Sequence, residues 1–207
     1  MTHLVNLAVI YYSATGTGTR IATEMAQAAE AAGARVRVRK VAELAPRSAI
    51  DANPAWAAHH AATADMPVST TEDLAWADAV IFGSPTRFGN ISSQLKQFFD
   101  TLSPLWQQGG LADKVYSGFT STATLHGGHE STLLALYNSI HHFGGIIVPP
   151  GYTDPIKFVD GNPYGTSHHA APGPDLGSIG DDTRNAARHQ AERTVRIARA
   201  LKAGHAA

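Results

Sequence analysis

A run of small hydroxyl and glycine residues follows the first apolar segment of the chain and has the composition of a phosphate-binding loop. The apolar residues 7–12 lead directly into Ser13, Ala14, Thr15, Gly16, Thr17 and Gly18, and an amphipathic helical pattern follows at once. Backbone N–H groups at a helix N-terminus lack partners within the helix, so they converge with nearby hydroxyls on an anion. The pattern predicts a phosphorylated ligand; a hydroxyl-rich helix cap without a ligand is the alternative.

Residue types that the sequence lacks argue against several kinds of phosphate site. A nucleotide triphosphate loop needs a Gly-Lys pair, which the chain lacks, and Ile21 stands where a dinucleotide fingerprint has its third glycine. A tyrosine phosphatase of low molecular weight needs a thiolate, and the chain has no cysteine. The hydroxyl and glycine residues of the loop fit a monophosphate that is held by hydroxyls. Flavodoxin-like proteins hold the FMN phosphate in that way.

Two further polar loops follow predicted strands. One contains Pro85, Thr86, Arg87, Phe88 and Gly89, and the other contains Ser121, Thr122, Ala123, Thr124, His126, Gly127 and Gly128. The carboxyl ends of parallel strands meet at one edge of a sheet, so the three loops are expected to converge there and to grip a flat ring. A solvated Arg87 with Phe88 as a core anchor is the alternative for the second loop.

Strands and helices alternate along the chain, as a parallel sheet requires. The hydrophobic pattern predicts strands over residues 4–12, 36–41, 79–83, 114–121 and 146–148 and helices over residues 18–32, 92–102, 130–143 and 181–201. We therefore expect one domain over residues 1–207 of the α/β class, with a flavodoxin-like, doubly wound, five-stranded parallel sheet and helices on both faces. The strand order 2-1-3-4-5 is the common one for this fold and does not follow from the sequence itself.

Two segments are longer than this core needs, residues 46–71 and residues 157–180. The first is rich in alanine and contains Trp56, His59 and His60, and the second is rich in glycine and proline and contains Tyr164, His168 and His169. Long segments in a compact domain are lids, interfaces or disordered. Aromatic residues favour a lid or an interface for the second segment.

Charge and composition favour small-molecule chemistry. The net charge is -1 without a basic block, so neither a nucleic-acid partner nor a membrane surface is expected. Without cysteine, any redox role must come from a bound cofactor. No apolar stretch approaches the ~20 residues of a membrane span, and the N-terminus lacks the pattern of a secretory signal, so the expected compartment is the cytoplasm. The paired histidines lack the i, i+4 spacing of ligands on one helix face, so no metal site is expected.

Several motifs together resemble those of one family. They are the stretches 11–13, 83–90 (Gly-Ser-Pro-Thr-Arg-Phe-Gly-Asn), 119–122, 126–128, 141–144 and 162–165. The chain is similar in these stretches, and from about residue 5 to residue 200, to the WrbA family of NAD(P)H:quinone oxidoreductases. The stretch from Pro85 to Asn90 is highly specific.

The resemblance implies FMN as cofactor, NADH or NADPH as co-substrate and a quinone as the acceptor of two electrons in a ping-pong hydride relay. It implies that residues 13–18 hold the FMN phosphate, that residues 85–89 lie against the ring and that residues 121–128 close the other side. It also implies a homotetramer, in which Trp106 of a neighbouring subunit and His141 approach the flavin, His141 as the catalytic residue, with Phe88 and Trp106 at the substrate. The alternatives are that His141 is only a capped residue of the core and that Trp106 only packs in the core.

Two positions depart from the family pattern. Thr15 stands where better-known members have a tyrosine beside the nicotinamide, which bears on the preference for NADH or NADPH. Ala123 replaces a common glycine, and its methyl group limits how closely the backbone approaches the ring.

Other functional classes are a flavodoxin-like electron carrier and a flavin-binding redox sensor without quinone turnover. Electron carriers of this kind are strongly acidic, whereas this chain is nearly neutral. The charge therefore favours an enzyme.

Overall fold

A computed structural model of the chain describes residues 3–173 and 176–205, apart from the side chain of residue 205. In these ranges the strands are β1 (Val5–Tyr11), β2 (Ala34–Lys40), β3 (Ala79–Pro85), β4 (Val115–Thr122), β5 (Ile146–Ile147) and β6 (Thr166–His169). The helices are α1 (Thr17–Ala31), α2 (Arg47–Asp51), α3 (Pro54–Ala62), α4 (Thr71–Trp76), α5 (Ser93–Asp100), α6 (Ser103–Gln107), α7 (His129–Phe143), α8 (Ile156–Asp160) and α9 (Asp181–His205).

The sheet has the order β2-β1-β3-β4-β5, and all of its strand pairs are parallel. Alternate residues of β1 point to opposite faces, which are covered by different helices. One buried cluster joins Leu7 and Val9 to α1 and α9, and the other joins Ala8 and Ile10 to α5 and α7. The predicted α/β architecture, doubly wound and flavodoxin-like, is confirmed.

The fifth position of the sheet differs from the prediction, because two separate strands occupy it. Strand β5 pairs with the start of β4, and β6 pairs in parallel with the end of β4, from Phe119 to Thr122. Pro149 and Pro150 follow β5 closely and lack the backbone N–H groups that would continue the pairing. The sheet therefore has six strands within the described residues, and β6 lies beside the third polar loop.

The predicted element ends agree with the structure to within two residues, except that α9 runs four residues further. The two long segments contain regular structure. Helices α2 and α3 lie in residues 46–71, and the end of α8 and all of β6 lie in residues 157–180. Disorder is thus the wrong alternative for the parts of both segments that form these elements.

Candidate functional site

The first polar loop joins β1 to α1 at the carboxyl edge of the sheet. Gly16 has a left-handed conformation with φ of 104°, which a glycine adopts without strain, and α1 begins at the next residue. The Gly16 N–H donates to Oγ of Ser13 at 3.1 Å, so the loop curls back on itself. The first turn of α1 has no acidic residue that would occupy an anion site.

Thr17 is the most informative residue of this loop. Its side chain is 3% exposed, and its hydroxyl has no hydrogen-bond partner among the residues that the structure describes. A buried hydroxyl without a partner costs stability, so such groups are normally satisfied by a ligand or water. The free hydroxyl, the helix N-terminus and the lack of acidic residues suit the FMN phosphate.

The second loop is fixed by hydrogen bonds between strands and to α7. The Thr86 N–H donates to the Ser121 carbonyl at 2.9 Å, and the Thr86 hydroxyl accepts from the Gly89 N–H at 3.1 Å and from the Thr132 hydroxyl at 2.8 Å. Phe88 sits at the tip with φ of 55° and a fully exposed ring. The alternative that Phe88 anchors the core is wrong, and its exposed, strained position is typical of a binding residue.

The third loop follows β4 and contacts two histidines: His129, which the sequence analysis missed, and His169, which it noted but did not place at the site. The Thr122 hydroxyl donates to the Thr124 carbonyl at 2.6 Å, and it therefore accepts from Nε2–H of His129 at 2.6 Å. Nε2 of His169 lies 3.1 Å from the Ala123 carbonyl, so β6 holds the loop from its other side. Burial lowers the pKa of His129, which favours a neutral ring.

The three loops converge on one cavity of about 480 Å³. The predicted cofactor residues that line it are Ser13, Ala14, Thr15, Thr17, Gly18, Pro85, Thr86, Arg87, Ser121, Thr122 and Ala123. Other predicted residues lie in the same loops outside the lining: Gly16, Phe88, Gly89, Thr124, His126, Gly127 and Gly128. The cavity lies at the carboxyl ends of β1, β3 and β4, where the sequence predicts the site.

Trp106 and His141 lie at the opposite edge of the sheet. His141 is near the end of α7, about 18 Å along the helix axis from its start beside the third loop. Trp106 Nε1 donates to the His142 carbonyl at 2.8 Å, and its side chain is 52% exposed. Neither residue reaches the cavity of its own chain, and the exposures of both exclude the alternative of core packing.

Trp56 and Tyr12 also line the cavity, and both are tied to Glu43. Burial alone would raise the pKa of Glu43, but donors from the Ala45 N–H, Gln94, Tyr12 and Trp56 together lower it, so the carboxylate is charged. Burial and the hydrogen bond to Glu43 raise the pKa of Tyr12, which keeps its phenol protonated. The sequence analysis noted Trp56 but placed neither it nor Glu43 at the site.

Two further properties concern residues 3–173 and 176–205 only. None of the helices there is long and apolar enough to cross a membrane. No group of three or more histidine, cysteine, aspartate or glutamate side chains in these ranges could hold a metal ion.

Residues 5–154 match the model of a family described as NADPH-dependent FMN reductase. A protein of Deinococcus radiodurans named NAD(P)H dehydrogenase (quinone) is 47% identical over 198 residues, which cover 95% of this chain and 97% of that protein. A protein of the same name from Aromatoleum aromaticum is 40% identical over 96% of this chain and 98% of its own length.

Solved structures also support the flavodoxin-like fold. A structure described as the flavodoxin, WrbA-like protein from Agrobacterium tumefaciens superposes with a TM-score of 0.68 at 26% identity, over 95% of this chain and 98% of that one. A flavodoxin from the domain Archaea superposes with a TM-score of 0.56 at 16% identity, over 95% of this chain and 99% of that one, which supports the fold alone.

Proposed function

The chain belongs to the NADPH-dependent FMN reductase family and to its NAD(P)H dehydrogenases (quinone), and from that premise we propose the reaction and the residues that carry it. The protein is an FMN-dependent NAD(P)H:quinone oxidoreductase that reduces quinones to hydroquinones. NADH or NADPH is its reductant, and we place the protein in the cytoplasm.

The buried, unpaired hydroxyl of Thr17 is the observation that supports FMN most directly. A phosphate oxygen would accept from this hydroxyl and from the free N–H groups of the first turn of α1. Gly18 keeps the loop compact, since a Cβ at this position would lie 3.0 Å from the Tyr12 carbonyl oxygen. Ser13 shapes the loop by accepting from Gly16.

The other two loops would hold the ring. Pro85, Thr86 and Arg87 line one part of the cavity, and Ser121, Thr122 and Ala123 line another. Hydrogen bonds from Thr86 to β4 and from Thr132 to Thr86 fix the two loops relative to each other before a ligand binds. Preorganised loops avoid the cost of ordering on binding.

Bound FMN supplies the chemistry of accepting a hydride from NAD(P)H and delivering two electrons to a quinone. One cavity serves both co-substrates in turn, which gives ping-pong kinetics. The chain's own residues orient each co-substrate and limit the access of water, and Phe88, exposed at the tip of its loop, contacts the quinone.

A homotetramer would bring Trp106 and His141 to the site. The two residues lie at the amino edge of the sheet, so they complete a cavity only when another subunit supplies them. An exposed indole next to an exposed helix end is suited to such a contact. His141 would donate a hydrogen bond or proton to the quinone oxygen, and unchanged quinone turnover and affinity in His141→Ala would exclude this role.

One spectroscopic series tests the function. Purified protein is loaded with FMN, desalted, reduced anaerobically with NADH or NADPH, and mixed with benzoquinone in the same cuvette. We expect retained flavin absorbance that bleaches with the nicotinamide and returns with the quinone. Flavin lost on desalting would overturn the cofactor assignment, and flavin that stays oxidised with either nicotinamide would overturn the reaction.

A further inference from the structure

Trp56 stands at the junction of three cavities. Helix α3 begins at a fixed point, because the Asn53 side chain accepts from the backbone N–H groups of Ala55 and Trp56 at 3.1 and 3.3 Å. The half-buried Trp56 lines the cavity of about 480 Å³, a smaller one of about 260 Å³ and an open groove of about 680 Å³ that includes Arg87 and Phe88. Together with Tyr12 and Arg87, which line both spaces, the indole therefore lies between the candidate flavin cavity and the groove.

The Glu43 carboxylate fixes this partition by joining three parts of the fold. Its Oε2 accepts from Tyr12 OH at 2.8 Å and from Trp56 Nε1 at 3.1 Å. Its Oε1 accepts from Gln94 Nε2 at 2.8 Å and from the N–H groups of Leu44 and Ala45 at 2.9 and 3.0 Å. Every one of these partners donates, so the position requires a group that only accepts.

A glutamine at position 43 has almost the same shape but carries an amide nitrogen that donates. If this nitrogen took the place of Oε1, it would oppose the backbone N–H groups of Leu44 and Ala45, which cannot turn. If it took the place of Oε2, it would oppose the Trp56 indole N–H, which can only donate, whereas the Tyr12 hydroxyl can rotate and accept a hydrogen bond from it. The less costly orientation thus releases Trp56 specifically.

We propose that Trp56 determines the size of the ring that the cavity accepts beside the flavin, and that Glu43 is the positioning residue that holds Trp56 in place. The proposal rests on the proposed function, because it concerns the quinone of that reaction. A tethered indole offers a flat face for stacking and blocks the way into the groove. Without it, the cavity and the groove join, and a two-ring quinone gains room that a one-ring quinone does not need.

The test measures binding without turnover. Oxidised, FMN-loaded protein is titrated with 1,4-benzoquinone and with 1,4-naphthoquinone in the absence of nicotinamide, and the flavin absorbance gives both dissociation constants. We expect Trp56→Ala to shift their ratio about tenfold toward the two-ring quinone. Glu43→Gln should shift it in the same direction by a smaller factor, and Trp56→Phe should restore most of the wild-type ratio.

Matched controls use the same substitutions away from the cavity. Trp76→Ala removes an indole that stacks on Arg37, with the guanidinium carbon 4.2 Å from the ring centroid, and Glu72→Gln neutralises an exposed carboxylate in the first turn of α4. Both should keep the wild-type ratio. The melting temperature and the FMN dissociation constant show whether each variant is folded and loaded.

The outcomes separate the two proposals. Wild-type protein that binds FMN but neither quinone overturns the role of Trp56, whereas the proposed function fails only if the nicotinamide does not bleach the flavin or the quinone does not restore its absorbance. Quinone binding with an unchanged ratio in Trp56→Ala overturns the role of Trp56. If Trp56→Ala shifts the ratio but a folded Glu43→Gln does not, Glu43 has only a structural role and its assignment as a positioning residue is wrong.

Discussion

Replacing Thr17 with valine should move two properties in opposite directions. Valine has the same shape as threonine but lacks the hydroxyl, which is buried and has no hydrogen-bond partner among the described residues. An unsatisfied buried polar group costs about 1–3 kcal/mol, so Thr17→Val should stabilise the ligand-free protein by up to that amount. For a chain of this size each kcal/mol raises the melting temperature by about 2–4 °C.

The same substitution should weaken FMN binding. A hydrogen bond to a charged group contributes about 1.5–3 kcal/mol, so the dissociation constant should rise by roughly 10- to 150-fold. Thermal unfolding of the FMN-free protein gives the first quantity, and quenching of flavin fluorescence during a titration gives the second.

Thr23→Val is the matched control for Thr17→Val. Thr23 lies on the exposed side of α1, where its hydroxyl donates to the Thr19 carbonyl at 2.9 Å. Its replacement should leave FMN affinity within about twofold, because a solvated hydroxyl gains little from its intrahelical bond. A lower melting temperature for ligand-free Thr17→Val, or an FMN affinity equal to that of wild type, would refute the assignment of Thr17 to the phosphate.

Three further predictions concern stability, pH and the quinone. The Lys157 ammonium is buried against the Asp160 carboxylate, so Asp160→Asn should lower the unfolding free energy by about 3–5 kcal/mol. The double variant Lys157→Met, Asp160→Leu should lower it less, because no charge is left buried without its partner. Equal losses of both in urea titrations would contradict this prediction. Burial lowers the pKa of His129 and His168 below the ordinary value of 6.5. As the pH falls through that value, the unfolded chain binds more protons than the folded protein, so the melting temperature should fall from pH 7 to pH 5. The fall should be less steep in His168→Gln than in wild type. Phe88→Gly removes a fully exposed ring at a positive φ, so the unfolding free energy should stay within about 1 kcal/mol while KM for the quinone rises; a large loss of stability with an unchanged KM would show that Phe88 is structural.

Local sequence was sufficient to predict the three loops. Each follows an apolar strand directly, and a parallel sheet brings such strand ends to one edge regardless of the details of packing. Hydroxyl and glycine residues before a helix indicate an anion site without any long-range information, so residues 13–18 could be predicted as the phosphate loop. The doubly wound sheet followed from the alternation of elements for the same reason.

Long-range pairing could not be predicted in this way. Strand β6 has the sequence Thr-Ser-His-His, without an apolar alternation, and it forms because the end of β4 offers free pairing positions. Glu43 meets Tyr12, Trp56 and Gln94 from distant points of the sequence, and no spacing encodes that meeting. The distance of His141 from the loops of its own chain depends on the direction of α7, which only the topology gives.

The division of the fifth sheet position into β5 and β6 separates two evolutionary constraints. Strand β5 contributes Ile147 to the edge of the hydrophobic core, whereas β6 brings His169 to the Ala123 carbonyl and His168 to the Thr183 hydroxyl. The chain between them, residues 148–165, leaves the sheet and returns to it, so its length is independent of the register of either strand. Substitutions at its exposed positions, such as Tyr152 and Phe158, can therefore alter the surface while the buried Lys157–Asp160 pair and the packed interior stay unchanged.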